Sequence, residues 1–140
     1  MSGGGAARGE SGNATLELAL GTAVLVVPVL LLVTVIPLWL ERHAVAELAA
    51  REAARAFALA DDAGRARHAA HQAALRVAAG HGIPREEWAT SVSGVLSPGA
   101  TVTARVSARV PSLVLPLLGA VGGFTVTAEH RELVDPYRSW

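Results

Sequence analysis

Residues 18–40 read LALGTAVLVVPVLLLVTVIPLWL, 23 consecutive positions without a formal charge. As a helix rising about 1.5 Å per residue, this run reaches roughly 35 Å, enough to cross the hydrocarbon core of a bilayer. The competing reading is a buried helix of a soluble protein. A helix apolar on every side, however, needs a surrounding core that about a hundred other residues do not supply. Pro28 and Pro37 each remove a backbone donor and crowd the preceding turn, which predicts a bend or local unwinding at both. A membrane helix tolerates this where neighbouring groups satisfy the freed carbonyls. A secretory signal peptide fits poorly, because its apolar stretch runs only about 7 to 15 residues before a small-x-small site. Here the run is longer, and Pro37-Leu38-Trp39-Leu40 is a poor cleavage context.

Beyond Leu40 the pattern turns amphipathic. Val45, Leu48, Ala49, Ala53, Ala56, Phe57 and Ala60 fall on one side, with Glu47, Arg51 and Arg55 on the other, so the helix is expected to continue from the membrane into water. Asp61 and Asp62 are good N-cap residues. After them Ala63, Ala66, Ala70, Ala73 and Val77 recur at helical spacing up to Gly80 and Gly82, and Pro84 closes a second, alanine-faced helix.

The last third reads as strands over 89–95, 101–110 and 124–133, with a Ser97-Pro98-Gly99 turn after the first. Alternation is clearest in TVTARVSARV, where Val102, Ala104, Val106, Ala108 and Val110 point one way and Thr101, Thr103, Arg105, Ser107 and Arg109 the other. One face of this sheet is therefore expected to be wet. The stretch PSLVLPLLGAVGG, residues 111–123, is too short to span a membrane and is broken by proline and glycine, which predicts a packed or membrane-touching loop.

Composition limits the chemistry. The 140 residues carry 12 basic and 12 acidic side chains, every basic one an arginine, so there is no net charge or basic patch to attract nucleic acid. The absence of cysteine removes disulfides, thiolate metal sites and a cysteine nucleophile. With 51% apolar but only 4% aromatic residues, and much of the apolar content in residues 18–40, the remaining core must be small and rich in alanine and valine. No nucleophile elbow, paired catalytic carboxylates or phosphate loop is present, which leads us to expect no catalytic residues, no cofactor and no small-molecule substrate. His68 and His71 stand three apart but lack an evident third ligand, and Arg65, Arg67 and Arg76 would repel a cation, so a solvated helix face is expected there. His43 and His130 read as surface residues, and Trp39 suits the membrane interface.

The residues that stand out chemically are Gly12, Asn13 and Glu17. A carboxylate at the start of a long apolar run is unusual, because a charge at the bilayer centre costs about 2.5–3.5 kcal/mol, less near the interface, and such groups usually have a partner. The plainer reading keeps Glu17 at the headgroup level in the first helical turn, where it meets the helix macrodipole favourably.

The string RGESGNATLELAL, from Arg8 to Leu20, resembles the start of TadE-like minor pilins of tight-adherence (Flp-type) pili, and more widely a class III prepilin signal. PVLLLV from Pro28, LAAREAARAFA from Leu48 to Ala58, and DPYR from Asp135 to Arg138 add to the likeness, which is best over residues 8–60. The resemblance implies cleavage by a prepilin peptidase between Gly12 and Asn13. It also implies that Glu17, then the fifth residue, pairs with the N-terminal amine of a neighbouring pilin or pilus-assembly subunit. It further implies a single-pass protein of the bacterial cytoplasmic membrane with its C-terminal domain outside. Counting arginines alone favours the opposite orientation, since Arg42, Arg51 and Arg55 follow the helix while only Arg8 precedes it; long domains, however, translocate largely regardless of flanking charge.

The expected fold class is α+β: a long N-terminal transmembrane helix continuing into an amphipathic helix, a second helix, then a small antiparallel sheet of about three strands. The expected segments are a leader over 1–12, a transmembrane and assembly helix over 13–60, an extracytoplasmic head over 61–134 and a tail over 135–140. The alternative is a signal-anchored extracytoplasmic binding or accessory domain that does not polymerise.

Overall fold

A computed structural model describes residues 10–115 and 119–137, with side chains described from Ala14 onward except that of Leu115. Most of the segment expected to be a leader, the Pro116-Leu117-Leu118 part of the apolar stretch, and Arg138 to Trp140 of the expected tail lie outside the described residues. The fold is α+β. Helix α1 spans Glu10–Ala58, α2 Ala63–Gly80, a short 3-10 turn Arg85–Glu87, and five strands follow: β1 Trp88–Ser93, β2 Thr101–Arg109, β3 Leu113–Leu115, β4 Gly119–Val121 and β5 Thr125–Leu133.

The chain divides into two compact units, Met1–Pro37 and Leu38–Trp140, and the division falls inside α1. In the first unit the helix is unbroken through Pro28 and assigned helical at Pro37, so neither proline unwinds it locally as the sequence had led us to expect. None of its described residues is buried. Leu16, Leu18, Leu25 and Val33 each remain about 70% exposed, as the helix offers its large apolar side chains on all sides. Thr22 and Thr34 turn their hydroxyls back onto the carbonyls of Leu18 and Leu30, at 2.8 and 2.6 Å, so both donors are satisfied within the helix.

The second unit, the head, starts with the remainder of α1. Its buried positions come in adjacent pairs one turn apart: Val45 and Ala46, Ala49 and Ala50, Ala53 and Ala54, Phe57 and Ala58. Leu48, expected inward, is 43% exposed. It sits on the flank of that stripe, where alanine rather than leucine lets neighbouring elements approach.

Helix α2 starts where Asp62, in extended conformation, accepts from the backbone N–H groups of Gly64 and Arg65 at 2.8 and 3.0 Å. It ends in a Schellman arrangement. The N–H groups of Gly82 and Ile83 reach back to the carbonyls of Ala79 and Ala78, Gly82 adopts φ +65°, and the buried Ile83 supplies the accompanying apolar contact. Its inward face is Ala66, Ala70, Ala73, Ala74 and Ala78, whereas Ala63, expected inward, is exposed in the first turn.

Strands β1, β2 and β5 form an antiparallel sheet in the order β1-β2-β5, with Trp88 opposite Ala108 and Arg109 opposite Thr125. The alternation of β2 is realised as expected: Val102, Ala104, Val106 and Ala108, with Val110 just beyond, are fully buried, while Thr101, Arg105 and Arg109 are exposed. These residues join Val126, Ala128, Val134, Trp88 and the inward residues of both helices in one core. The turn after β1 requires glycine at position 94, since φ is +125° and a Cβ would lie 2.8 Å from the Thr101 carbonyl oxygen.

The stretch 111–123 is not the loop the sequence suggested. Within it β3 and β4 pair antiparallel, Leu113 opposite Val121 and Val114 opposite Ala120, as a separate two-stranded hairpin between β2 and β5. Its base is tied by Val110 N–H to the Phe124 carbonyl at 2.8 Å and by Gly123 N–H to the Val110 carbonyl at 3.1 Å. Gly122 makes the crossing possible, since at φ +103° a Cβ would come within 2.8 Å of the Pro111 carbonyl oxygen.

Candidate functional site

Of the three residues singled out in the sequence, Gly12 and Asn13 lie within the α1 backbone, and their surroundings are outside the described residues. Glu17 is exposed on the same helix. Gly21 follows it one turn later, and Ala14, Leu18, Thr22 and Leu25 complete a shallow, open groove beside it. One helix cannot enclose a ligand there, and among the described residues no cation lies within ion-pair distance of Glu17. The carboxylate and the notch at Gly21 thus lie together on one face of the apolar helix.

Among the described residues no group of three His, Asp or Glu side chains is placed to hold a metal ion. His68 and His71 are exposed on α2. His43 stacks on Trp39 with ring centroids 5.7 Å apart and lies 3.4 Å from Glu47 one turn on. His130 is half-buried on β5, 3.2 Å from Glu132. Trp88 is in the core, its indole N–H donating to the Thr90 hydroxyl at 3.1 Å, which satisfies the polar end of an otherwise apolar side chain.

The outer face of the sheet is a ladder of polar cross-strand pairs. Ser107 meets Thr127 at 3.1 Å, and Arg105 meets Glu129 at 2.6 Å. Arg131, two residues along β5, reaches the same carboxylate at 3.2 Å. The hydrogen bond from Arg105, then that from Arg131, holds Glu129 below the ordinary carboxylate range. The two arginines favour the ionised form of Glu129, and the ladder gives the sheet a polar, solvated outer surface.

Two features escaped the sequence reading. Arg42, on the helix just past the apolar run, approaches Glu87 of the 3-10 turn at 3.2 Å, with both side chains largely covered. The contact runs from Arg42 Nη2 to Glu87 Oε2 and is not a hydrogen bond; Oε2 and the other guanidinium nitrogen, Nη1, are buried without a hydrogen-bond partner, and the pair acts as an electrostatic tie. No local signal foretells a pairing so distant in sequence. The hairpin did leave a signal: a short apolar run, three intervening residues, then Gly119 and the Gly122-Gly123 pair.

Compared with known protein families, with curated proteins and with solved structures, the chain matches none.

Proposed function

We propose that this chain is a single-pass, membrane-anchored structural subunit, a TadE-like minor pilin or pseudopilin of a Flp-type pilus or related secretion apparatus, that works by assembly rather than catalysis. The observation that carries the reading is the contrast within α1, which leaves most of its leucines and valines from Leu16 to Leu40 exposed and none of them buried, but lays one stripe of residues between Val45 and Ala58 into the core of a folded head. An exposed apolar surface of that extent calls for a non-aqueous surrounding. The helix is long and apolar enough to cross a bilayer.

In this reading prepilin peptidase cuts between Gly12 and Asn13 and frees the Asn13 amine. The Glu17 carboxylate and the amine of an adjacent subunit neutralise each other away from water, where an unpaired charge is costly and a pair fixes register. The exposed carboxylate and the neighbouring notch at Gly21 leave room for that approach. The head stands on the extracytoplasmic side of the cytoplasmic membrane. Partners are other pilin or pilus-assembly subunits, with no nucleic acid and no small-molecule substrate.

The test is made in the native host. Glu17→Ala is expected to insert and lose its leader normally yet fail to enter the assembled structure, while Gly12→Leu blocks processing. Normal incorporation of Glu17→Ala rejects the pairing role. A native N-terminus that retains residues 1–12 favours the non-polymerising, signal-anchored accessory domain instead.

A further inference from the structure

The hairpin β3–β4 has no role in the reading above, and its placement in the head gives it one. Residues 111–123 carry no charge. Val114 is 79% exposed, its cross-strand partner Ala120 is exposed, and Phe124 at the base is 40% exposed.

The sheet register fixes which end of the head this is. The hairpin leaves the sheet after Arg109 and returns at Thr125, which are partners, and Trp88 lies opposite Ala108 beside them. Glu87 directly precedes Trp88 and reaches Arg42, four residues after the chain enters the head at Leu38. At the other end of the sheet, Arg55, Ala58 and Leu59 line one depression with Glu132, Leu133 and Asp135. The head portion of α1 therefore runs from the hairpin end to the opposite end. Leu38, where the head begins, is therefore on the hairpin's side of the head.

We propose that the hairpin is a second membrane contact, its apolar residues Leu113, Val114, Ala120, Val121 and Phe124 resting in the interfacial layer of the bilayer that the helix crosses. The proposal rests on the membrane-anchoring reading above. Continuity decides the occupant, because the bilayer surface must lie where the apolar run ends, and Trp39, 39% exposed on that stretch, is a residue suited to the interface. The far end of the head exposes Leu59 and Leu133 directly among Arg55, Glu132 and Asp135, whereas at the hairpin end the charges of Glu86, Glu87 and Arg109 sit on the sheet and 3-10 turn and the hairpin itself, residues 111–124, carries none. Two contacts restrict how the head tilts over the membrane, which one helical tether does not.

The chain has no cysteine, so single-cysteine variants of the full-length protein can each carry one environment-sensitive fluorophore in vesicles of phosphatidylcholine and phosphatidylglycerol. Val24→Cys reports on the anchor, Val114→Cys on the hairpin and Val95→Cys, an exposed apolar position at the far end of the sheet, on the control surface. Ala120→Cys replaces Val114→Cys if the latter does not fold. The expected result is blue-shifted emission with stronger quenching by a lipid-borne nitroxide than by iodide at positions 24 and 114, and the reverse order at 95. Lipid quenching at 24 with iodide quenching at 114 overturns the hairpin contact and leaves the anchor intact. Shielding of 114 from both quenchers points to a protein partner and also overturns it. Lipid quenching at 95 as well as 114 overturns the end-on contact. Iodide quenching at 24 rejects the anchor, and the hairpin proposal falls with it.

Discussion

The two stretches of α1 belong to one helix but differ in exposure, none of the described residues up to Pro37 being buried and a stripe from Val45 to Ala58 lying in the core, and the side chains differ accordingly. Residues 18–40 contain two alanines among leucines, valines and isoleucine, whereas residues 41–58 contain eight alanines, six of them buried. Where the helix packs against its own protein, methyl-sized side chains set the approach distance. Up to Pro37, where no described residue is buried, large side chains enlarge the apolar surface instead, the surface that the proposed lipid surroundings would accommodate and water would not. Apolarity alone therefore does not mark a core; within α1 the buried stretch is the alanine-rich one.

That contrast can be broken most forcefully at Phe57, the largest fully buried side chain in the head. Phe57→Ala is expected to destabilise the head by about 3–5 kcal/mol, lowering its thermal midpoint in detergent by near-ultraviolet circular dichroism. Leu30→Ala removes a comparable side chain from the exposed stretch and is expected to leave that midpoint unchanged. Equal losses would mean that residues 14–37 are packed against protein after all.

A smaller effect sharpens the same point in the other direction. Ala50→Leu adds volume at a fully buried position and is expected to cost about 1–3 kcal/mol, while Ala23→Leu on the exposed stretch costs nothing measurable in head unfolding. The comparison fails if position 50 accepts leucine without loss.

The smallest effect lies on the wet face of the sheet. Glu129 is held below its ordinary range by Arg105 and Arg131, so its folded form binds protons less readily than its unfolded form. The stability this supplies is present above the unfolded value of about 4.3 and is lost as the pH falls through the depressed folded value. Glu129→Gln is thus expected to lower the midpoint slightly at neutral pH, with the difference from the parent protein vanishing in acid. Because the group is solvent-exposed, the shift should be smaller than that of either core substitution, and added salt should reduce it.

Much of this architecture can be read from neighbouring residues. The uncharged run 18–40, the Asp62 cap, the glycine at 82 and the alternation of TVTARVSARV each announce an element, because helix, cap and strand are repeating local geometries written into contiguous sequence. Helical spacing did less well at ranking faces. It put Leu48 and Ala63 inward, since period alone cannot say which of two adjacent stripes meets a partner.

By itself, then, the sequence determined that an apolar helix precedes a small α+β head and that one face of β2 is buried. It also placed Glu17 at the start of the apolar run. Only the tertiary structure decided that the 111–123 stretch pairs with itself, that Arg42 meets Glu87, and that the hairpin stands at the end of the head where the chain enters. These depend on segments far apart in the chain being brought together by a shared core, and no local periodicity records which distant partner a surface will find.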